Sequence, residues 1–135
     1  MEAVAEWFAL MGILTDFVVR KLENTGEESS PSAVRYVEKS QNYIREHYRE
    51  PLTVNGVARQ LDISEGYLQR TMKTVTGMSV IEYVNWYRVQ MAIQMMKSRH
   101  LTLQEIACNV GVEDPAYMSR LFKKITGMSW REYFE

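Results

Sequence analysis

The chain has 135 residues, 46% of them hydrophobic, and a net charge of −1, which leaves room for one compact helical domain plus an appendage. A single cysteine excludes an intramolecular disulfide framework and any cysteine-rich metal site. The near-neutral total hides an asymmetry. Residues 1–32 carry two basic and six acidic side chains and residues 33–135 carry fourteen and eleven, so attraction to a polyanion must depend on where charge is placed.

The first element, over residues 1–23, is an apolar helix. Residues 3–19 read AVAEWFALMGILTDFVV. Glu6 and Asp16 interrupt the stretch, which is too short and too charged to span a membrane, and it lacks the basic start of a signal peptide. Trp7, Phe8, Leu10, Met11, Leu14, Phe17 and Val18 offer more apolar surface than a lone helix keeps in water. The helix is therefore expected to pack on a like helix of a second chain or on a sensor domain, the alternative being that it folds back on its own chain. Residues 24–32, NTGEESSPS, read as a flexible polar linker.

A helix over about 33–48 places Val37, Ile44 and Tyr48 on one face, and Pro51 stops it. His47 lies near its C-terminal end, where an imidazole interacts with the helix dipole more readily than with a metal.

A first helix-turn-helix follows over about 52–77. Thr53 caps a short helix whose start is weakened by Gly56, the break falls at Asp62-Ile63-Ser64, Ser64 caps the second helix, and Gly77 ends it in a left-handed conformation. A long helix over about 80–99 comes next, with Val80, Val84, Tyr87, Met91 and Met95 at helical spacing. Its roughly 30 Å approaches the roughly 34 Å between successive major-groove faces of a duplex.

The second helix-turn-helix spans about 101–127. Thr102 and Glu105 form a capping box, Asp114 with Pro115 caps the second helix, and Gly127 closes it. Cys108 is placed on the inner side of the first helix and is expected to be a small buried residue. Most of the nine methionines read as core filler.

The two segments are copies of one another. With one extra residue in the second turn they share Leu52/Leu101, Thr53/Thr102, Ala58/Ala107, Tyr67/Tyr117, Arg70/Arg120, Lys73/Lys123 and Glu82/Glu132, as well as the run Thr-Gly-Met-Ser at 76–79 and 126–129. In each second helix one face packs inward: Leu68, Thr71, Met72 and Val75, and Met118, Leu121, Phe122 and Ile125. The opposite face carries Gly66, Gln69, Arg70 and Lys73, matched by Ala116, Ser119, Arg120 and Lys123. A small residue lets backbone approach a flat partner. Gln can pair bidentately with adenine and Arg with guanine, while Lys suits phosphate. Helix, break and helix with such an outward face is the pattern whose second helix enters the major groove.

From about Val34 to the C-terminus these motifs resemble the DNA-binding domain of AraC/XylS-type transcriptional regulators. The resemblance includes the WYRVQMAIQMM segment between the copies and implies an all-α fold of two helix-turn-helix subdomains joined by a long central helix. It also implies base-edge contacts from Gly66, Gln69, Arg70, Pro115, Ala116, Ser119 and Arg120, and backbone contacts from Lys73, Thr74, Lys123 and Lys124. Arg88 matches an arginine typical of the family and is expected to form a structural ion pair. The chain departs from the family pattern at Met72, Val112 and Met118, which replace aromatics, and at Trp130, which replaces proline. The partners expected are double-stranded DNA, a second copy or a sensor domain at the N-terminal helix, and RNA polymerase. No membrane contact, cofactor or metal is expected. On this reading the chain is a fragment of a longer, cytoplasmic, effector-responsive bacterial regulator.

Two other function classes fit the residues less well. An enzyme would need a carboxylate pair, an HExxH run, a phosphate loop or a nucleophile–His arrangement, none of which is present, and His47 and His100 lack ligand spacing. A helical protein-interaction module remains the alternative, because basic helix faces are often merely solvated.

Overall fold

The computed structural model describes residues 31–98 and 100–134. The apolar helix expected over 1–23, and the linker as far as residue 30, lie outside the described residues. Among the described residues there are seven helices and no strand: α1 (Pro31–His47), α2 (Val54–Gln60), α3 (Glu65–Thr76), α4 (Val80–Ser98), α5 (Leu103–Asn109), α6 (Pro115–Thr126) and α7 (Trp130–Phe134). The expected all-α architecture is thus observed. α1 starts on Pro31, two residues ahead of the expected position, since proline in a first turn lacks only a donor that would be orphaned there.

The described residues form two compact units. One holds residues 31–46 and Leu52–Tyr83; the other holds His47–Pro51 and residues 84–98 and 100–134. The short loop His47–Pro51 therefore belongs to the second unit although the first copy follows it in sequence.

Each unit repeats the same local devices. Thr53 Oγ1 accepts from Gly56 N at 3.0 Å and Thr102 Oγ1 from Glu105 N at 3.2 Å, so both first helices are capped by threonine. Ser64 Oγ accepts from Tyr67 N at 3.2 Å, and Asp114 Oδ1 from Ala116 N at 3.0 Å, which caps α3 and α6. Gly77 and Gly127 end these helices at φ of 76° and 79°, a left-handed conformation that costs a residue without Cβ little.

The shared Thr-Gly-Met-Ser run is a stop and restart. The hydroxyl of Thr76 donates to Met72 O at 2.6 Å and accepts from Met78 N at 3.0 Å; Thr126 does the same with Phe122 O at 2.8 Å and Met128 N at 3.2 Å. Three residues after each Thr, Ser79 and Ser129 accept from Glu82 N and Glu132 N and begin the next helix.

In the first unit Val37, Ile44, Val57, Leu68, Met72, Val75 and Val80 are fully buried. In the second unit Val89, Ala92, Ile106, Ala107, Val110, Met118 and Phe122 are. Each large aliphatic side chain so buried contributes about 1.5–3 kcal/mol. Met72, Val112 and Met118, the departures from the family's aromatics, are all buried, and Trp130 packs edge-on to Phe122 at 4.8 Å and on Phe134 at 4.9 Å.

The stripe expected on α4 is only partly observed. Val80 and Val84 are buried, but Tyr87, Met91 and Met95 are half-buried, while Val89, Ala92 and Ile93, off the expected stripe, are buried too. Tyr83, Trp86 and Gln90 are buried as well. A helix enclosed around most of its circumference has no single apolar stripe for periodicity to detect.

Candidate nucleic-acid interface

α3 and α6 each present a solvent face opposite their buried one. On α3, Gly66, Arg70, Lys73 and Thr74 are exposed and Gln69 is half-buried. On α6, Ala116, Arg120, Lys123 and Lys124 are exposed, while Pro115 and Ser119 are half-buried. Position by position the two faces match in exposure. On the inner faces Leu68, Thr71, Met72 and Val75 and Met118, Leu121 and Phe122 are buried as expected, whereas Ile125 is only half-buried.

The arginines lean toward the N-terminal ends of their helices. Arg70 Nη1 lies 3.4 Å from where a Cβ on Gly66 would stand, and the Arg120 guanidinium lies 5.9 Å from the Tyr117 ring centre. This is the direction long side chains take on a helix. It brings both guanidinium groups toward the end that meets base edges when such a helix enters a groove. Among the described residues none of Arg70, Lys73, Arg120, Lys123 and Lys124 forms an ion pair.

The two faces differ in three respects. Gln69 Oε1 accepts a 3.4 Å bond from Val80 N, one of the orphan donors at the start of α4, so pairing with adenine would require it to release that bond. Ser119 has no reach to make the equivalent contact. Tyr67 packs edge-on to Tyr36 at 5.9 Å, while its counterpart Tyr117 is 42% exposed beneath Arg120. Finally, Lys124 stands where the first face has the neutral Thr74.

Arg88 is structural, as expected, but among the described residues it does not form the expected ion pair. Its Nε donates to Tyr48 O at 3.0 Å and its Nη2 to Glu50 O at 2.9 Å, carbonyls left unsatisfied just beyond the C-terminus of α1. Burial pulls its guanidinium below the ordinary arginine value, and the nearby Tyr117 phenol acts in the opposite sense. Gly111 approaches the same loop: at φ 86°, a Cβ there would meet Tyr48 O at 2.7 Å and Arg49 O at 2.9 Å. His47, expected to face the helix dipole, also pairs through Nδ1 with Glu50 Oε2 at 2.8 Å.

Cys108 is exposed, contrary to expectation. The repeat held the missed signal, because Cys108 aligns with Arg59, a charged residue on the outer side of α2. Among the described residues no group of His, Cys, Asp and Glu could hold a metal ion, and no helix is long and apolar enough to cross a membrane.

Comparison with known proteins agrees with this geometry. A helix-turn-helix domain family model matches residues 57–135. An uncharacterised HTH-type transcriptional regulator of Bacillus subtilis, YisR, is 31% identical over 121 residues, covering 90% of this chain. The transcriptional regulatory protein HptR of Staphylococcus aureus is 34% identical over 98 residues, covering 73% of it. The chain spans 42% and 38% of the lengths of these two relatives. The C-terminal domain of AraT, a response regulator from Geobacillus stearothermophilus, superposes with a TM-score of 0.70 at 33% identity, covering 79% of this chain and 86% of that domain. With its paired helix-turn-helix units, their matched exposed arginines and a family match over more than half its length, the chain belongs to the AraC-type helix-turn-helix family.

Proposed function

We propose that the chain is the DNA-binding part of a longer transcriptional regulator, and that α3 and α6 read successive major-groove segments of one site. AraC-type helix-turn-helix domains bind double-stranded DNA. The observation that carries the reading for this chain is the pair Arg70 and Arg120. They occupy the same outward position of two separately capped helices, both exposed and without a carboxylate partner among the described residues. Gly66, Gln69, Pro115, Ala116 and Ser119 would complete the base-edge set, with Lys73, Thr74, Lys123 and Lys124 on phosphates. Since Gly66 and Ala116 offer little side-chain hydrogen bonding, recognition there would rely on thymine methyl contact and duplex shape.

The apolar segment 3–19 would dock a second copy or a sensor domain of the longer protein, and RNA polymerase is a further partner on this reading. Selection of bound duplexes from a random pool, followed by footprinting, tests the proposal. Two protected segments one helical turn apart, with affinity falling steeply between low and physiological salt, are expected. Retention of no duplex, or binding indifferent to salt, would overturn it in favour of a protein-docking module.

A further inference from the structure

We propose that Arg49, in the loop His47–Pro51, is a phosphate contact of the second helix-turn-helix, a role that neither the repeat nor the family motif assigns. The inference rests on the DNA-binding reading above and adds a residue from outside both copies.

The main chain at Arg49 is held from two sides. Arg88 binds the carbonyls of the residues before and after it, at 3.0 and 2.9 Å. The Gly111 backbone presses so close that a Cβ would stand 2.9 Å from Arg49 O. Gly111 belongs to the turn leading into α6, which begins four residues later at Pro115. Tyr117, in the first turn of α6, lies within electrostatic reach of Arg88. The loop therefore sits beside the N-terminal turn of the recognition helix, on the flank that carries Tyr117.

The side chain is also oriented. Arg49 Nε donates to Tyr48 Oη at 3.2 Å, and its guanidinium carbon lies 5.6 Å from the Tyr48 ring centre. The Tyr48 ring is itself buried and packs edge-on to Tyr87 at 5.2 Å. Arg49 remains exposed, and the neighbouring acid Glu50 is engaged by His47 at 2.8 Å. A planar guanidinium held against the Tyr48 ring, without a carboxylate partner among the described residues and flanking a groove-entering helix, has the donor geometry that phosphate oxygens accept. In the repeat the position equivalent to Arg49 is Ser98, within α4.

The test uses the full chain, a duplex recovered from the random pool, and the variants Arg49→Ala, Arg49→Gln and Arg49→Lys. Arg49→Ala and Arg49→Gln should weaken every duplex by a similar several-fold factor and flatten the salt slope by about 0.9, the value of one phosphate contact. Arg49→Lys should restore most of the slope. Methylphosphonates placed singly along the site should reveal one that weakens the unaltered chain and leaves Arg49→Ala unaffected. Should Arg49→Ala fold poorly, Arg49→Gln keeps the stem over Tyr48 and carries the same expectation. An unchanged slope in a folded variant, or no such phosphate, refutes the inference alone; salt-indifferent binding by the unaltered chain refutes the DNA-binding reading beneath it.

Discussion

Replacing Gly111 with alanine should be among the most damaging single changes in the second unit. Two costs add. The backbone at φ 86° lies in the left-handed region, which costs an L-residue about 1–2 kcal/mol. The new Cβ would also stand 2.7 Å from Tyr48 O and 2.9 Å from Arg49 O, both backbone atoms that cannot swing aside. Relief requires the loop to move, and that loosens the two Arg88 bonds; hydrogen bonds to a charged group contribute about 1.5–3 kcal/mol. A total of about 3–5 kcal/mol follows, a large part of the roughly 5–15 kcal/mol that holds a domain together. Gly127 supplies the control. Its φ is 79°, nearly the same, but nothing lies within 4 Å of its added Cβ, so Gly127→Ala should cost only the conformational part, about 1–2 kcal/mol. Urea and thermal unfolding of the two variants should therefore differ by about 2–3 kcal/mol, or roughly 8–20 °C in midpoint for a domain of this size. Equal losses would show that the approach of the 48–49 backbone carries no energy, and with it would fall the claim that this loop is clamped.

Further expectations concern the interface, the caps and the core. Arg70→Ala or Arg120→Ala should each cost about 1–3 kcal/mol in binding and relax base preference at one position of the selected site; a loss equal on all sequences would make them phosphate contacts. Thr126→Val removes the hydroxyl that serves Phe122 O and Met128 N and should lower stability by about 1–2 kcal/mol in urea titration, whereas no change would mean water replaces it without cost. Gln90 is 3% exposed and its Oε1 has no hydrogen-bond partner among the described residues, so Gln90→Met should raise stability by about 1 kcal/mol; a clear loss would argue that the amide is needed. Cys108 should react with a thiol reagent in the native state at the rate of an exposed cysteine, and protection until unfolding would contradict its placement.

Local chemistry explains why so much was legible. Each cap joins residues two or three apart, and the Thr-Gly-Met-Ser bonds span two to four, so side-chain identity and spacing suffice to place them. The outward faces of α3 and α6 follow from helical period alone, because each helix buries one side. Helical period does not place Cys108, because a seven-residue helix carries too few positions to resolve inner from outer; its counterpart Arg59, exposed on α2, does.

The amino-acid order by itself determined the two helix-turn-helix segments, the duplicated unit, and which side chains of α3 and α6 face outward, since all of these arise within a turn or two of chain. Tertiary structure alone decided that Arg88 holds carbonyls instead of a carboxylate, that Gly111 abuts residues 48 and 49, and that the loop before the first copy serves the second unit. Those contacts join positions about 40 to 60 residues apart. No spacing rule reaches that far, because which distant surfaces meet depends on how the buried volumes fit together.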